Sequence, residues 1–321
     1  MKKRNSQGFT LVELLVASGV TAIIVALMVT MVSNLLSAYN RSSGRLSAQS
    51  QSGLVLEQLS AELQSMVMRN NGDVMFQVSQ VGQLDGAGKT QPTGIAVSEG
   101  NLTDDWEELL IENYGFGPGG LWLKFFTTAP SLTDDSESGV RAMGYRIDYN
   151  PVAPNSSVSN YMLYRTEIPS QVTFDWGYDL TDAFYTDSTS YTYTYTNRDG
   201  DEETVTLPNG LKNDPVLEDL PQQIIADNVI DFGVRLFTQE GNQNREIEFP
   251  KSDNQQYAAS GDGTLDPYPR SVEVMVRILT PEGRRLIEAI DEGNLDLDWW
   301  ETAVQNSIVF SRVINIPSRP I

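Results

Sequence analysis

The chain has 321 residues, no cysteine, no histidine and a formal net charge of −21. Without those two residue types it can form no disulfide, no Ser-His-Asp or Cys-His nucleophilic site and none of the usual zinc ligand sets. An acidic balance of this size argues against a nucleic-acid surface, which needs basic side chains for phosphate, and suits basic partners or cations.

The first element opens with a basic leader, Lys2, Lys3 and Arg4, and passes through Gln7-Gly8-Phe9-Thr10-Leu11-Val12-Glu13 into an apolar run. Residues Leu14 to Leu36 carry no charged side chain. A helix of that length spans roughly 35 Å at 1.5 Å per residue, enough for a bilayer core. Glu13 at its mouth is costly in lipid, about 2.5–3.5 kcal/mol at a helix centre and less near an end. The chain can supply a partner for it. A cut after Gly8 would make Phe9 the new N-terminus, and its ammonium group would lie one helical turn from Glu13. An ordinary secretory signal has a shorter apolar core followed by a small-x-small cleavage site. Leu36-Ser37-Ala38 does not provide one, and a plain anchor leaves Gly8-Phe9 and Glu13 unexplained.

Gly8, Phe9, Thr10, Leu11, Val12 and Glu13, followed by Leu14, Leu15 and Val16, resemble the signal of type IV prepilins, shared by type IV pilins and type II secretion pseudopilins. The resemblance implies cleavage by a prepilin peptidase between Gly8 and Phe9, N-methylation of Phe9, and a role in assembly for Glu13, the fifth residue of the mature chain. Gln7 stands where a Lys is common. Loss of the leader would take the net charge from −21 to −24 by removing its three cations.

Beyond Leu36 the apolar positions thin to one stripe: Tyr39, Leu46, Val55, Leu56, Leu59, Leu63, Met66 and Val67. From Leu56 their spacing is that of an amphipathic helix. Asn70-Asn71-Gly72 is a helix-stop pattern, so one helix from about Phe9 to Arg69 is expected, with Gly19, Gly44 and Gly53 as candidate bends. The remainder of the chain reads mainly as strands: Val74–Val81, Leu121–Thr127, Ala142–Asn150, Tyr161–Glu167, Tyr191–Thr196, Glu203–Leu207, Val229–Thr238, Val272–Leu279 and Ile308–Ile316. Two short helices are expected near the end. One has Thr280 as N-cap and Pro281 in its first turn; the other has Asp298 as N-cap and Glu301 in a capping-box position.

The stretch from Asp219 to Ile316 resembles the C-terminal half of J-type minor pseudopilins of type II secretion and the related W-type minor pilins. Its landmarks are Ile224-Ile225-Ala226-Asp227-Asn228-Val229, Phe232-Gly233-Val234-Arg235-Leu236-Phe237 and Tyr268-Pro269-Arg270-Ser271-Val272-Glu273-Val274. Polar stretches at about Gly82–Gly120, Trp176–Pro221 and Asn242–Pro267 read as insertions.

Three features invite a chemical reading. Gly86-Ala87-Gly88-Lys89-Thr90 ends like a phosphate-binding loop but lacks the first Gly at the required spacing, and Gln91-Pro92 cannot open the helix that would hold a phosphate. Asn197, Asp199 and Asp201 alternate around a turn and could offer oxygens to calcium, though solvated hairpin tips have the same composition. Tyr191, Tyr193 and Tyr195 share one strand face, which could stack on sugars or cover a neighbouring sheet; the second is the commoner use. Trp299 and Trp300 read as core anchors of their short helix.

The expected fold class is α+β: a long N-terminal transmembrane and amphipathic helix packed on a mainly antiparallel β head with insertions. The expected boundaries are 1–8 for the leader, 9–36 for the transmembrane half-helix, 37–69 for the amphipathic half and 70–321 for the head. The positive-inside rule keeps the leader cytoplasmic and places the head in the periplasm of a single-pass bacterial inner-membrane protein. The expected function is that of a structural subunit, a minor pseudopilin or minor pilin, and not an enzyme, with no cofactor and no nucleic-acid binding by the head. Its partners would be the prepilin peptidase, the inner membrane and other pilins or pseudopilins in a filament or tip complex. The alternatives are an adhesive or major pilin, and an exported binding or enzymatic domain tethered by a pilin-type helix.

Overall fold

The computed structural model describes residues 11–80, 121–130, 139–151, 159–188, 190–196, 200–211, 224–240, 243–247 and 256–316. Its contacts divide the chain into two units, residues 1–47 and 48–321.

The described part of the first unit is helical throughout and belongs to α1 (Leu11–Gln64). Residues Leu11–Leu36 have a mean hydropathy of 2.5, and none of that surface is buried. Hydroxyls within the run bond to their own helix: Ser18 donates to the Leu15 carbonyl at 2.9 Å, Thr21 to Ala17 at 2.8 Å and Thr30 to Ala26 at 3.0 Å. A polar group treated this way needs no water, which a hydrocarbon environment could not supply.

In the second unit, α1 continues through Gly53 without interruption, and a Cβ added there would meet nothing within 4 Å. Ala48, Ser52, Val55, Leu56, Leu59 and Leu63 are buried, and Leu54 points the other way, 63% exposed. The helix ends at Gln64 and not near Arg69, which corrects the expected amphipathic segment 37–69. Backbone pairing with a strand overrides the Asn70-Asn71-Gly72 stop. Met66 forms a bridge with Thr127, Val67 N–H donates to Phe126 O at 2.9 Å, and Thr128 N–H donates to Ser65 O at 3.0 Å.

The strands are β1 (Phe76–Gln80), β2 (Leu121–Thr127), β3 (Arg141–Pro151), β4 (Ser159–Ile168), β5 (Ser190–Thr196), β6 (Glu202–Pro208), β7 (Ile224–Asp227), β8 (Val229–Glu240), β9 (Gln243–Ile247), β10 (Gln256–Ala259), β11 (Ser271–Leu279) and β12 (Ser307–Asn315). They form a six-stranded sheet ordered β10-β1-β2-β3-β4-β7, a four-stranded sheet ordered β12-β11-β8-β9, and the β5-β6 ribbon. Every pairing between these strands is antiparallel. The α+β reading therefore stands: a long apolar helix followed by a mostly antiparallel β head.

Alternation along the strands gives the six-stranded sheet two different faces. Its inner face, with Phe76, Val78, Leu123, Phe125, Met143, Tyr145 and Leu163, shares one core with Leu56, Leu59 and Leu63 of α1. Phe232, Val234, Val274 and Val276 of the four-stranded sheet belong to the same core. Part of the outer face, Phe126, Ala142 and Ile168, is covered by residues from α2 (Ser170–Trp176), α3 (Ala183–Thr186) and β5. The stretch Trp176–Pro221, read as an insertion, thus supplies a packed layer. The stretch Asn242–Pro267 supplies β9 and β10, and Gly82–Gly120 lies outside the described residues.

The two C-terminal helices are α4 (Pro281–Asp291) and α5 (Trp299–Gln305). Thr280 Oγ1 accepts from Gly283 N–H at 3.1 Å and donates to Asn306 O at 3.0 Å, so one hydroxyl caps α4 and ties it to the end of α5. Asp298 accepts from Glu301 N–H at 2.7 Å. The Glu301 carboxylate takes Gln305 Nε2 at 3.0 Å, so the structure records the forward half of the expected box.

Candidate functional site

The expected site residues all lie at or before the first turn of α1. Glu13 is an exposed acidic residue of that first turn, where a carboxylate also favours the positive end of the helix dipole. Gly8 and Phe9 lie outside the described residues. From Glu13 onward the helix presents apolar side chains on all sides, including Leu14, Leu15, Ile23, Leu27, Val29, Met31 and Leu35. Such a surface needs lipid or other helices around it.

The other end of α1 is held by a buried ionic group that the sequence did not reveal. Glu62 is fully buried and lies 2.7 Å from Arg165 Nη2, with Arg165 Nε donating to the same carboxylate at 2.8 Å. Gln58 Nε2 and the Tyr145 hydroxyl also donate to it. Arg165 reaches Glu167 at 2.9 Å, and Glu167 lies 3.3 Å from Arg141, whose Nη1 donates to Ala129 O at 2.6 Å. Thr127 Oγ1 lies 2.8 Å from Glu62 O and 3.1 Å from Ser65 O, serving the last carbonyls of a helix with no basic residue in its final turn.

Burial works against the Arg165 charge, but Glu62, Tyr145 and Glu167 outweigh it and hold the guanidinium more firmly protonated than usual. Burial, then the Glu62 charge, pushes the Tyr145 hydroxyl well above the ordinary tyrosine range, so it stays a donor. The signal for this group was present but split across the chain. Glu62 follows Leu59 by three residues on the apolar face of α1, and Arg165 alternates in phase with the inward-facing Tyr161 and Leu163.

The other candidates take different places in the fold. Tyr191 and Tyr193 are buried, and Tyr191 meets Trp176 edge-on at 5.5 Å, so the row packs on its own domain. Trp299 is buried and meets Tyr161 edge-on at 5.8 Å, a core anchor. Of the calcium candidates, Asn197 and Asp199 lie outside the described residues, while Asp201 is exposed at the start of β6. Among the described residues no three acidic side chains converge as a metal would require. The Gly86–Thr90 loop also lies outside them.

A family model described as the prokaryotic N-terminal methylation motif matches residues 3–29. The sequence matches no curated protein. The matched span takes in Gly8, Phe9, Glu13 and most of the apolar run, and the chain is type IV prepilin-like on that ground.

Proposed function

We propose that this chain is a structural subunit of a type II secretion pseudopilus or a type IV pilus, of the minor pseudopilin or minor pilin kind. Its work is assembly and not catalysis. The observation that carries this reading is the methylation motif joined to an apolar helix whose surface is wholly exposed from Leu11 to Leu36. A prepilin peptidase would cut between Gly8 and Phe9 and methylate Phe9. The helix would hold the subunit in the bacterial inner membrane as a single pass, with the head in the periplasm. On assembly that surface would be re-buried against the helices of other pilins or pseudopilins.

Glu13 would then pair with the Phe9 ammonium of a neighbouring subunit and set the axial register. Leaving that ammonium buried without a counter-charge costs several kcal/mol, about 3–5 for a broken buried pair. Glu13→Val should therefore remain membrane-inserted and cleaved, because the scissile bond lies before the altered position. It should fail to co-purify with filament or tip components. Mass spectrometry of wild type should find a methylated Phe9 terminus; an assembled form still beginning at Met1 would overturn the proposal. Normal incorporation of Glu13→Val would reduce Glu13 to a local helix cap.

A further inference from the structure

The layer that α2, α3 and β5 lay over the six-stranded sheet brings an open aromatic stack together with unbalanced negative charge. Residues 170–195 carry four aspartates, Asp175, Asp179, Asp182 and Asp187, and no lysine or arginine. Within that stretch the Trp176 and Phe184 rings lie nearly parallel, 16° between planes and 5.5 Å between centroids. Phe184 is 49% exposed. Its carbonyl accepts from Asn209 Nδ2 at 2.7 Å, and buried Tyr185 and Tyr191 meet Trp176 edge-on at 5.4 Å and 5.5 Å. The Tyr185 hydroxyl donates to Gly177 O at 2.7 Å. Single exposed apolar side chains are ordinary, but this ring is held open on a braced mount.

Asp182 supplies the charge. It stands at the N-cap of α3, yet its side chain takes no capping hydrogen bond. Its Oδ2 lies 3.7 Å from where a Cβ would sit at Gly177, the residue after Trp176, which sets the carboxylate beside the chain that carries the indole. Burial, then the charges of Asp179 and Asp73, hold the Asp182 carboxyl above the usual range. The charges acting on it among the described residues are thus of its own sign, and a cation would relieve them. The same layer already carries a guanidinium on a ring face: the Arg69 guanidinium carbon lies 4.0 Å from the centroid of Tyr178.

We propose that the Trp176–Phe184 stack and Asp182 form a docking surface for an arginine side chain of a partner protein. The guanidinium plane lies on the open Phe184 ring, and its fork of N–H donors turns to the Asp182 carboxylate. Arginine suits this surface better than lysine, because it stacks flat, offers paired donors and is weakly hydrated. The negative charge of residues 170–195 draws a basic segment and repels nucleic acid and anionic lipid. The surface belongs to the head and goes beyond the assembly role of α1.

The test uses the full chain in polyoxyethylene detergent micelles, which carry neither charge nor sugar. Its tryptophans are replaced by 5-fluorotryptophan, and the Trp176 fluorine signal is assigned by its loss in Trp176→Phe. The probe is acetylated tri-arginine amide at fixed ionic strength. It should move the Trp176 signal saturably and bind more tightly than its tri-lysine counterpart. Phe184→Leu should weaken its binding by about two- to fivefold. Asp182→Asn should do so by about two- to fivefold as well. Unshifted signals from the other tryptophans show that each variant is folded; should Phe184→Leu fail that check, the isosteric Asp182→Asn carries the comparison. A Trp176 signal that the peptide leaves in place would overturn the surface, and so would an affinity unchanged in the folded variants, which would leave only the general attraction of an acidic chain. Equal affinity for both peptides would overturn the assignment to arginine. A shift produced by maltohexaose and not by the peptide would give the stack to a carbohydrate instead.

Discussion

On the inner face of the six-stranded sheet, Arg165 sits 2.7 Å from Glu62 and 2.9 Å from Glu167. On the outer face of the same sheet, Lys124 lies 3.8 Å from the Trp122 ring, and among the described residues the charge that acts on it is that of Arg146. Both groups are almost wholly buried, so depth does not distinguish them. Pairing does. The inner group keeps its charges because each has an opposite within reach, and in doing so it fixes α1 on one register of β3 and β4. On the outer face, burial and then the Arg146 charge push the Lys124 amine down to about 7. Burial thus stabilises a defined charge state only where the complementary charge is built in.

The largest effect should come from breaking the inner face. Glu62→Ala leaves Arg165 with Glu167 alone and removes the acceptor of Tyr145, and should lower the urea-unfolding stability of the head by about 3–5 kcal/mol. Tyr145→Phe leaves the carboxylate short of one donor and should cost about 1–3 kcal/mol. Should both substitutions prove neutral, the inner group would be no better bound than the outer. Gly144→Ala pushes a methyl group into Leu211 on the outer face and should cost about 1–3 kcal/mol by overpacking alone. Its cost should not vary between pH 6 and 9, which separates packing from charge.

The smallest and sharpest effect concerns pH. The folded-state value of Lys124 is depressed, so below about 7 both folded and unfolded chains carry the proton and the burial penalty is felt in full. As pH rises from about 7 towards the ordinary lysine range, the unfolded chain binds more protons, and stability should rise. Tyr185, Tyr191 and Tyr257, all raised chiefly by burial, act in the other direction once unfolded tyrosine ionises near pH 10. Among the described residues the slope between about pH 7 and 9.5 therefore belongs to Lys124, and Lys124→Met should flatten it with little change in stability at pH 9. An unchanged slope in that variant would place the titrating group elsewhere.

What the sequence made legible was whatever depends on near neighbours. β2 falls on the expected residues, the Thr280 and Asp298 caps form as their side-chain chemistry requires, and β11 follows its period-two pattern. β7, β9 and β10 are short, at four or five residues each, too brief for a local rhythm to announce them; β7 and β10 exist through register with the distant β4 and β1, while β9 turns straight back on β8. The end of α1 was misjudged because a helix stop is a local signal, whereas Val67 and Met66 are claimed by β2. Glu62 reads locally as one polar residue in an amphipathic helix; its partner Arg165 lies in a strand more than a hundred residues away. At the N-terminus the situation is reversed. Leader, Gly8-Phe9, Glu13 and apolar span are contiguous, and a single stretch of sequence holds the whole pattern.

The pairing of β1 sets an order of events as the chain folds. Its β2 side can close as soon as Leu121–Phe125 is made, but its other side waits for β10, where Phe76 meets Ala259, more than half the chain later. Until then β1 is an open edge, with unpaired backbone groups able to template a strand from another chain. Closing it is a long-range step, of the kind that slows folding. Gly261, just past β10, completes that step in tight quarters: a Cβ there would fall 2.1 Å from Arg69 O. A larger residue at 261 should hold the late strand off its edge, so that the defect shows first as slow folding and aggregation, before any change at the N-terminal motif.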